Sequence, residues 1–184
     1  MKMRKHLAVR FIVSSCVFAA MAVGPVLAES ASGLSWTAPA AWKSQGARPM
    51  RAATYVVPAS DGDKEPGECA VYFFGGGQGG SVGANIKRWL GQFQTPDGGP
   101  VDKTAQIGEK TISGIKVTTV DVSGTYLFKP APMAPRAIPK PGYRMLAAIA
   151  QGAGGPIFFK LTAPEKTAHA AQADFEKMLE SLRK

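Results

Sequence analysis

The chain has 184 residues, a formal net charge of +9 and 45% hydrophobic residues. This length and composition predict one globular domain with a real hydrophobic core. Without the first 28 residues the formal charge is +5, a modest excess that is spread along the chain and argues against a nucleic-acid-binding protein.

The first 28 residues predict an export signal. A basic start precedes an apolar core over 11–27, and small or aliphatic residues lead up to Ala28. Cleavage after Ala28 would leave 156 residues and lower the formal charge from +9 to +5, because four basic residues leave with the signal. We therefore expect a periplasmic or secreted protein. A lipid anchor at Cys16 is the less favoured alternative, since the apolar run continues past it. No later run is apolar for long enough to span a bilayer.

Cys69 is then the one cysteine of the mature chain, so no internal disulfide is expected. It directly precedes an apolar strand pattern, which predicts a small core residue and not a nucleophile.

In chain order, a short linker over 29–35 is expected to lead into a single domain over 36–184. Patterns of apolar and β-branched residues predict strands, and polar, glycine or proline clusters predict the turns between them. The predicted strands cover 34–42, 50–57, 68–74, 105–112, 115–128, 143–150 and 157–161.

The stretch 71–93 organises this prediction, because a strand, a glycine loop and a helix follow one another there. Ser81 is the expected N-cap of the helix, and one apolar face consists of Val82, Ile86, Trp89, Leu90 and Phe93. A separate polar ridge consists of Asn85, Arg88 and Gln92. A second helix is expected after 162–165, which match a capping box.

Residues 129–142 contain five prolines and cannot form a helix or a central strand, because proline has no N–H donor. A stiff surface connection is the simplest interpretation. A segment of this length can also serve as a recognition strip or a lid, with Arg136 and Lys140 as its binding residues.

Short hairpin connections favour an α+β fold in which two main helices sandwich a largely antiparallel sheet of about six to seven strands. This layout resembles the PsbP/Mog-like proteins. The resemblance extends over about 36–182 in element order and includes the TAPAAW start and the FFKLTAPE join into the last helix. It implies a binding or assembly role more often than catalysis, and it brings no site residues.

Two short motifs suggest sharper functions. Gly75, Gly77 and Gly80 match the GxGxxG pattern of dinucleotide sites, but hairpins follow where a parallel βαβ unit is needed. An anion held by the backbone amides at the helix start is the simpler use of this loop. The GxSxG pattern around Ser81 suggests a serine hydrolase, in which His169 would accept the proton and Asp121 would orient the imidazole.

The sequence therefore predicts an exported, non-enzymatic domain that binds an envelope protein or a small anionic ligand. The alternative is the serine hydrolase. We expect no cofactor and no metal site, and the oligomeric state stays open. The candidate binding residues are Gly76, Gly77, Gln78, Gly79, Gly80, Ser81, Asn85, Arg88, Gln92, Arg136 and Lys140.

Overall fold

The computed structural model describes residues 28–131 and 133–184. Nearly all of the predicted export signal, with Cys16, lies outside these residues, so cleavage after Ala28 stays a prediction. The described elements are β1 (Ala28–Ala31), β2 (Leu34–Thr37), β3 (Lys43–Ser44), β4 (Arg51–Val57), β5 (Gly67–Tyr72), α1 (Val82–Leu90), β6 (Phe93–Gln94), β7 (Gln106–Ile112), β8 (Ile115–Phe128), β9 (Ile138–Gly152), β10 (Gly155–Pro164) and α2 (Glu165–Glu180).

The architecture is α+β, as predicted, with two helices and antiparallel pairing throughout the described sheets. The main sheet has eight strands in the order β3-β4-β5-β10-β9-β8-β6, and β7 also pairs with β8. It exceeds the expected six to seven strands because β3 and β6 are two-residue strands that no sequence pattern reveals. Neither described helix has the length and hydrophobicity that a bilayer span requires.

Each face of the main sheet carries its own hydrophobic core. Along β10, Ile157, Phe159 and Leu161 enter the core that α2 covers, whereas Phe158 enters the core beside α1. This alternation is the two-residue period of a strand. Because α1 has only nine residues, it covers only part of its face, and the uncovered part forms a groove.

The expected linker over 29–35 is wrong, because these residues belong mostly to the β1–β2 hairpin. Trp36 is fully buried, and its Nε1 donates a hydrogen bond to the Tyr55 hydroxyl at 2.9 Å. That hydroxyl donates in turn to Glu29 Oε2. The hairpin is therefore attached to β4 by buried polar contacts that the linker-like composition does not reveal.

Residues 138–142 of the proline-rich segment begin β9, where the simplest expectation was a surface connection. They form neither a helix nor a central strand, as predicted. Pro139 lies opposite Leu127 on β8, and the Leu127 N–H donates to Gln92 O on the other side of that strand. Leu127 and Pro139 therefore form a non-hydrogen-bonded pair, where a missing N–H removes no ladder bond. Strand β10 ends opposite Tyr143, so the proline-containing part of β9 pairs on one side only.

The expected capping box at 162–165 is absent, because β10 continues to Pro164 and α2 begins at Glu165. Asp63 caps the helix instead. Its Oδ2 accepts hydrogen bonds from the Thr167 N–H at 2.8 Å and from the Thr167 hydroxyl at 2.7 Å. The polar turn before β5 thus supplies an acceptor for the first turn of α2.

Candidate ligand-binding groove

The uncovered part of the α1 face is a groove of about 1050 Å³. Its floor comes from β5, β8, β9 and β10, and one wall comes from the C-terminal half of α1. Aromatic and charged side chains dominate the lining: Tyr72, Phe74, Tyr126, Phe128, Tyr143, Phe158, Arg51, Glu65, Glu68, Arg88, Lys129, Lys140 and Lys160.

Lys160 lies at the centre of the floor. It is on β10, a middle strand, and strand alternation directs it away from the α2 core that Phe159 and Leu161 enter. Its Nζ donates to Gln92 Oε1 at 2.5 Å and lies 5.4 Å from the centre of the Tyr126 ring. Within residues 28–131 and 133–184, no carboxylate lies within ion-pair distance of this ammonium.

Burial lowers the pKa of Lys160 to about 8, and the nearby positive charges of Arg88 and Arg51 act in the same direction. The negative charge of Glu68 opposes them. An ammonium that is short of water and close to two other cations is poorly stabilised. A bound anion would stabilise this ammonium by its negative charge.

Arg51 lies at one side of the groove. Its Nη1 is 3.0 Å from Glu68 Oε1, and its guanidinium carbon is 5.3 Å from the centre of the Tyr72 ring. Burial raises the pKa of the Tyr72 hydroxyl. The planar guanidinium is thus oriented by an aromatic face and a carboxylate, an arrangement that suits recognition of a planar anion.

A second cation–carboxylate pair lies toward the proline-rich segment. Lys140 Nζ contacts Glu65 Oε2, and the Tyr143 hydroxyl donates to the same oxygen at 2.7 Å. These two donors lower the pKa of Glu65, and the Glu65 carboxylate raises the pKa of Lys140. The positive charge of Lys140 is therefore already balanced by a carboxylate, unlike that of Lys160.

Asn85 orients the third cation, Arg88. Asn85 is buried, and its Nδ2 donates to Gly79 O at 2.7 Å and to Ser81 O at 2.9 Å. Its Oδ1 accepts from Arg88 Nη2 at 2.5 Å. The predicted polar ridge is therefore divided: Arg88 and Gln92 line the groove, and Asn85 supports Arg88 from below the surface.

The glycine loop lies outside the groove lining. Gly77, Gly79 and Gly80 have positive φ angles, which other residues rarely adopt. The backbone geometry of the loop is therefore enough to explain why it is rich in glycine. Gly79 lies directly against Phe158, where an added Cβ would be 2.9 Å from the ring. Gly76 and Gln78 are exposed, as is Arg136, and none of the three lines the groove. Of the eleven candidate binding residues, the groove brings together Arg88, Gln92 and Lys140.

The structure does not assemble the hydrolase triad. Ser81 caps α1, where its hydroxyl accepts from the Ala84 N–H at 3.2 Å, and α1 covers one face of the sheet. His169 is exposed on α2, which covers the opposite face. Asp121 accepts two hydrogen bonds from Arg144, at 2.8 and 2.6 Å. The GxSxG match therefore arises from a helix cap within a glycine-rich turn.

The topology around the glycines also lacks the parallel βαβ unit of a dinucleotide site, because β5 pairs with antiparallel neighbours. A smaller depression of about 670 Å³ lies beside the start of α2 and includes Asp63, Lys166 and His169. The Asp63 carboxylate already caps α2 there, so this depression is a weaker candidate for a ligand site than the groove.

Five groove residues are not among the eleven candidates from the sequence: Arg51, Tyr72, Tyr126, Tyr143 and Lys160. One signal was available for Lys160, because a lysine inside the apolar strand IFFKL is unusual in a central strand. The others lie on four different segments, and only their strand pairing brings them together.

No protein-family model matches the chain, and neither does any curated protein. Among solved structures, it is similar to the solution structure of cyanobacterial PsbP (CyanoP) from Synechocystis sp. PCC 6803, with a TM-score of 0.49 and 13% identity over 92% of this chain and 99% of that chain. It is also similar to PA94 from Pseudomonas aeruginosa, a protein of unknown function, with a TM-score of 0.48 and 10% identity over 88% of this chain and 98% of that chain. The structural neighbours therefore include a PsbP protein, as the resemblance in the sequence predicted.

Proposed function

We propose that this protein is an exported, non-enzymatic domain that binds a small organic anion with a flat, apolar body in the groove. The observation that carries the proposal is Lys160, a cation on the groove floor whose hydrogen-bond acceptor is the neutral amide of Gln92. An anion would pair with this ammonium and supply the negative charge that no carboxylate of the described residues provides.

The charge of the groove supports an anionic ligand. Five cationic side chains and two carboxylates line it, and two of the cations are paired with those carboxylates. Lys129, Arg88 and Lys160 have no such partner among the described residues. A concave surface lined by one sign of charge concentrates ligands of the opposite sign.

The aromatic lining supports a flat, apolar body. Tyr72 and Phe74 are stacked at a ring-centre distance of 6.0 Å, and Tyr126 is stacked with Tyr143 at 5.9 Å. Rings in this arrangement offer faces to a planar ligand and withdraw apolar area from water. The groove volume of about 1050 Å³ is at the upper end for a small-molecule site.

Calorimetry with 4-methylbenzoate and its neutral analogue 4-methylbenzamide tests the proposal. We expect the purified protein to bind the carboxylate about 10- to 100-fold more tightly than the amide, the range of a charge-assisted hydrogen bond. Lys160→Met should lose this preference, whereas Lys103→Met, at an exposed position outside the groove, should retain it. Equal affinity for both compounds, or an unchanged preference in Lys160→Met, would contradict the proposal.

A protein partner is the second candidate, because large apolar side chains are exposed beside the groove. Met50 lines it and is 68% exposed, and Ile138, opposite Phe128 on β8, is 52% exposed. An acidic, partly apolar partner such as an envelope protein would match this rim. In affinity capture from an envelope extract, one protein retained by the wild type and lost with Met50→Ser would favour this candidate.

A further inference from the structure

Lys160 has the surroundings of a reactive amine. Lys160 lines the groove, and the neutral amide oxygen of Gln92 accepts a hydrogen bond from its Nζ. The four other charged or hydroxyl groups that influence it come from neighbouring elements: Arg51 from β4, Glu68 from β5, Arg88 from α1 and Tyr126 from β8. Among these groups, the one carboxylate, Glu68, pairs with Arg51 and not with Lys160.

We propose that Lys160 captures anionic ligands that carry an aldehyde or ketone group, by forming an imine with the carbonyl carbon. This inference rests on the proposed anion binding, because a carboxylate on the ligand would hold the carbonyl group near the amine. It adds a covalent step and a ligand class, the oxo acids.

The chemistry balances without a further reactant. The neutral Nζ attacks the carbonyl carbon, and a proton passes from nitrogen to oxygen to give a carbinolamine. The carbon–oxygen bond then breaks, the hydroxyl leaves as water with the second proton of the nitrogen, and a carbon–nitrogen double bond remains. No oxidation occurs, and water reverses the reaction, so the capture is reversible.

The groove provides both conditions that this reaction needs. Burial, reinforced by the charges of Arg88 and Arg51, lowers the pKa of Lys160 to about 8, so about half of the amine is neutral at pH 8. An exposed lysine is neutral there about 100-fold less often. The same two arginine side chains provide positive charge for the carboxylate of the ligand, as in a desolvated lysine nucleophile that is activated by cationic neighbours.

Reductive trapping tests the inference in the wild-type protein. The purified protein is treated at pH 8 with 4-formylbenzoate and sodium cyanoborohydride, and the modified lysines are mapped by peptide mass spectrometry. We expect Lys160 to be modified at least ten times faster than the exposed lysines, and 4-methylbenzoate to slow this reaction by competition. Modification spread over exposed lysines, with no preference for Lys160, would overturn the inference.

Two measurements on the wild-type protein separate this inference from the proposed function. Calorimetry with 4-methylbenzoate reports anion binding alone, and reductive trapping with 4-formylbenzoate reports the imine at Lys160. If the wild type binds 4-methylbenzoate but yields no adduct at Lys160, the covalent step is wrong and the binding proposal stands. If the wild type binds neither compound, both proposals fail.

Discussion

Gln92 Oε1 accepts a hydrogen bond from Lys160 Nζ at 2.5 Å and so joins the segment after α1 to a middle strand of the sheet. A neutral acceptor here leaves the ammonium charge available to a ligand. Both residues line the groove, and the proposed anion binding depends on this pair.

Replacing this acceptor by a carboxylate should weaken anion binding. In Gln92→Glu, the new carboxylate would pair with Lys160 and raise the pKa of its ammonium, so a ligand would have to displace it. We expect about 10-fold weaker binding of 4-methylbenzoate by calorimetry, with no loss of folding stability. The control Gln78→Glu adds the same charge in the exposed glycine loop and should change the affinity little. Equal affinities in the two variants would contradict the role of the pair.

Lys160 should add a contribution to the free energy of unfolding that rises with pH above about 8. Burial lowers the pKa of Lys160 to about 8 in the folded protein, whereas the unfolded chain has the ordinary value of about 10.4. Between these values the unfolded state binds more protons, so stability increases with pH, by at most about 3 kcal/mol. Two other effects act in the opposite direction. Burial raises the pKa of the Cys69 thiol, which lowers stability above about pH 8.5, and the raised pKa of Tyr72 and Tyr126 does the same above about pH 10.

Urea unfolding of the wild type and Lys160→Met at pH 7, 8, 9 and 10 measures this effect. The variant has no titrating group at this position, so the stability of the wild type relative to the variant should increase from pH 8 to pH 10. A wild-type curve that falls between pH 8 and 10, parallel to that of the variant, would show that Lys160 titrates as in the unfolded chain.

Asp63 should contribute to stability through α2. In Asp63→Ala, the Thr167 N–H and hydroxyl lose their common acceptor, and Thr167 is buried. We expect unfolding to become easier by about 1–3 kcal/mol in urea denaturation. Asp61→Ala, two residues away and exposed, should cost less than about 0.5 kcal/mol. Equal effects of the two substitutions would mean that the carboxylate does not cap the helix.

The glycine loop should tolerate substitution at one position and not at another. An added Cβ at Gly77 meets nothing within 4 Å, so Gly77→Ala costs only the strain of a positive φ, about 1–2 kcal/mol. At Gly79 the Cβ would also lie 2.9 Å from the Phe158 ring and 3.2 Å from the Phe74 ring. Gly79→Ala should therefore cost about 1–3 kcal/mol more. The reverse order in urea denaturation would show that the loop has another conformation.

Local patterns predicted the elements that depend on neighbouring residues. The hairpin at Ser113 and Gly114 has the two positive φ angles of its turn, at 49° and 71°, and Ser81 is the N-cap of α1, as its position after the glycines indicated. Cys69 is fully buried in the core, as predicted. In each case the residues that decide the structure are close in sequence.

The groove depends on contacts between distant residues, which explains why the sequence revealed it only in part. Lys160 and Gln92 are 68 positions apart, and Asp63 and Thr167 are 104 apart. A single sequence gives no measure of strand order, so neither contact could be predicted. The composition of the glycine loop does not distinguish backbone geometry from ligand binding, because both favour the same residue.

A chemical-shift titration tests the central claim most directly, because it locates the binding site. The ¹⁵N-labelled protein would be titrated with 4-methylbenzoate while its amide signals are followed. We predict the largest shifts at the groove strands, around Tyr72, Tyr126 and Lys160, and none of comparable size on α2. Shifts confined to the loop 75–80, to α2 or to no region at all would contradict the claim that the groove binds organic anions.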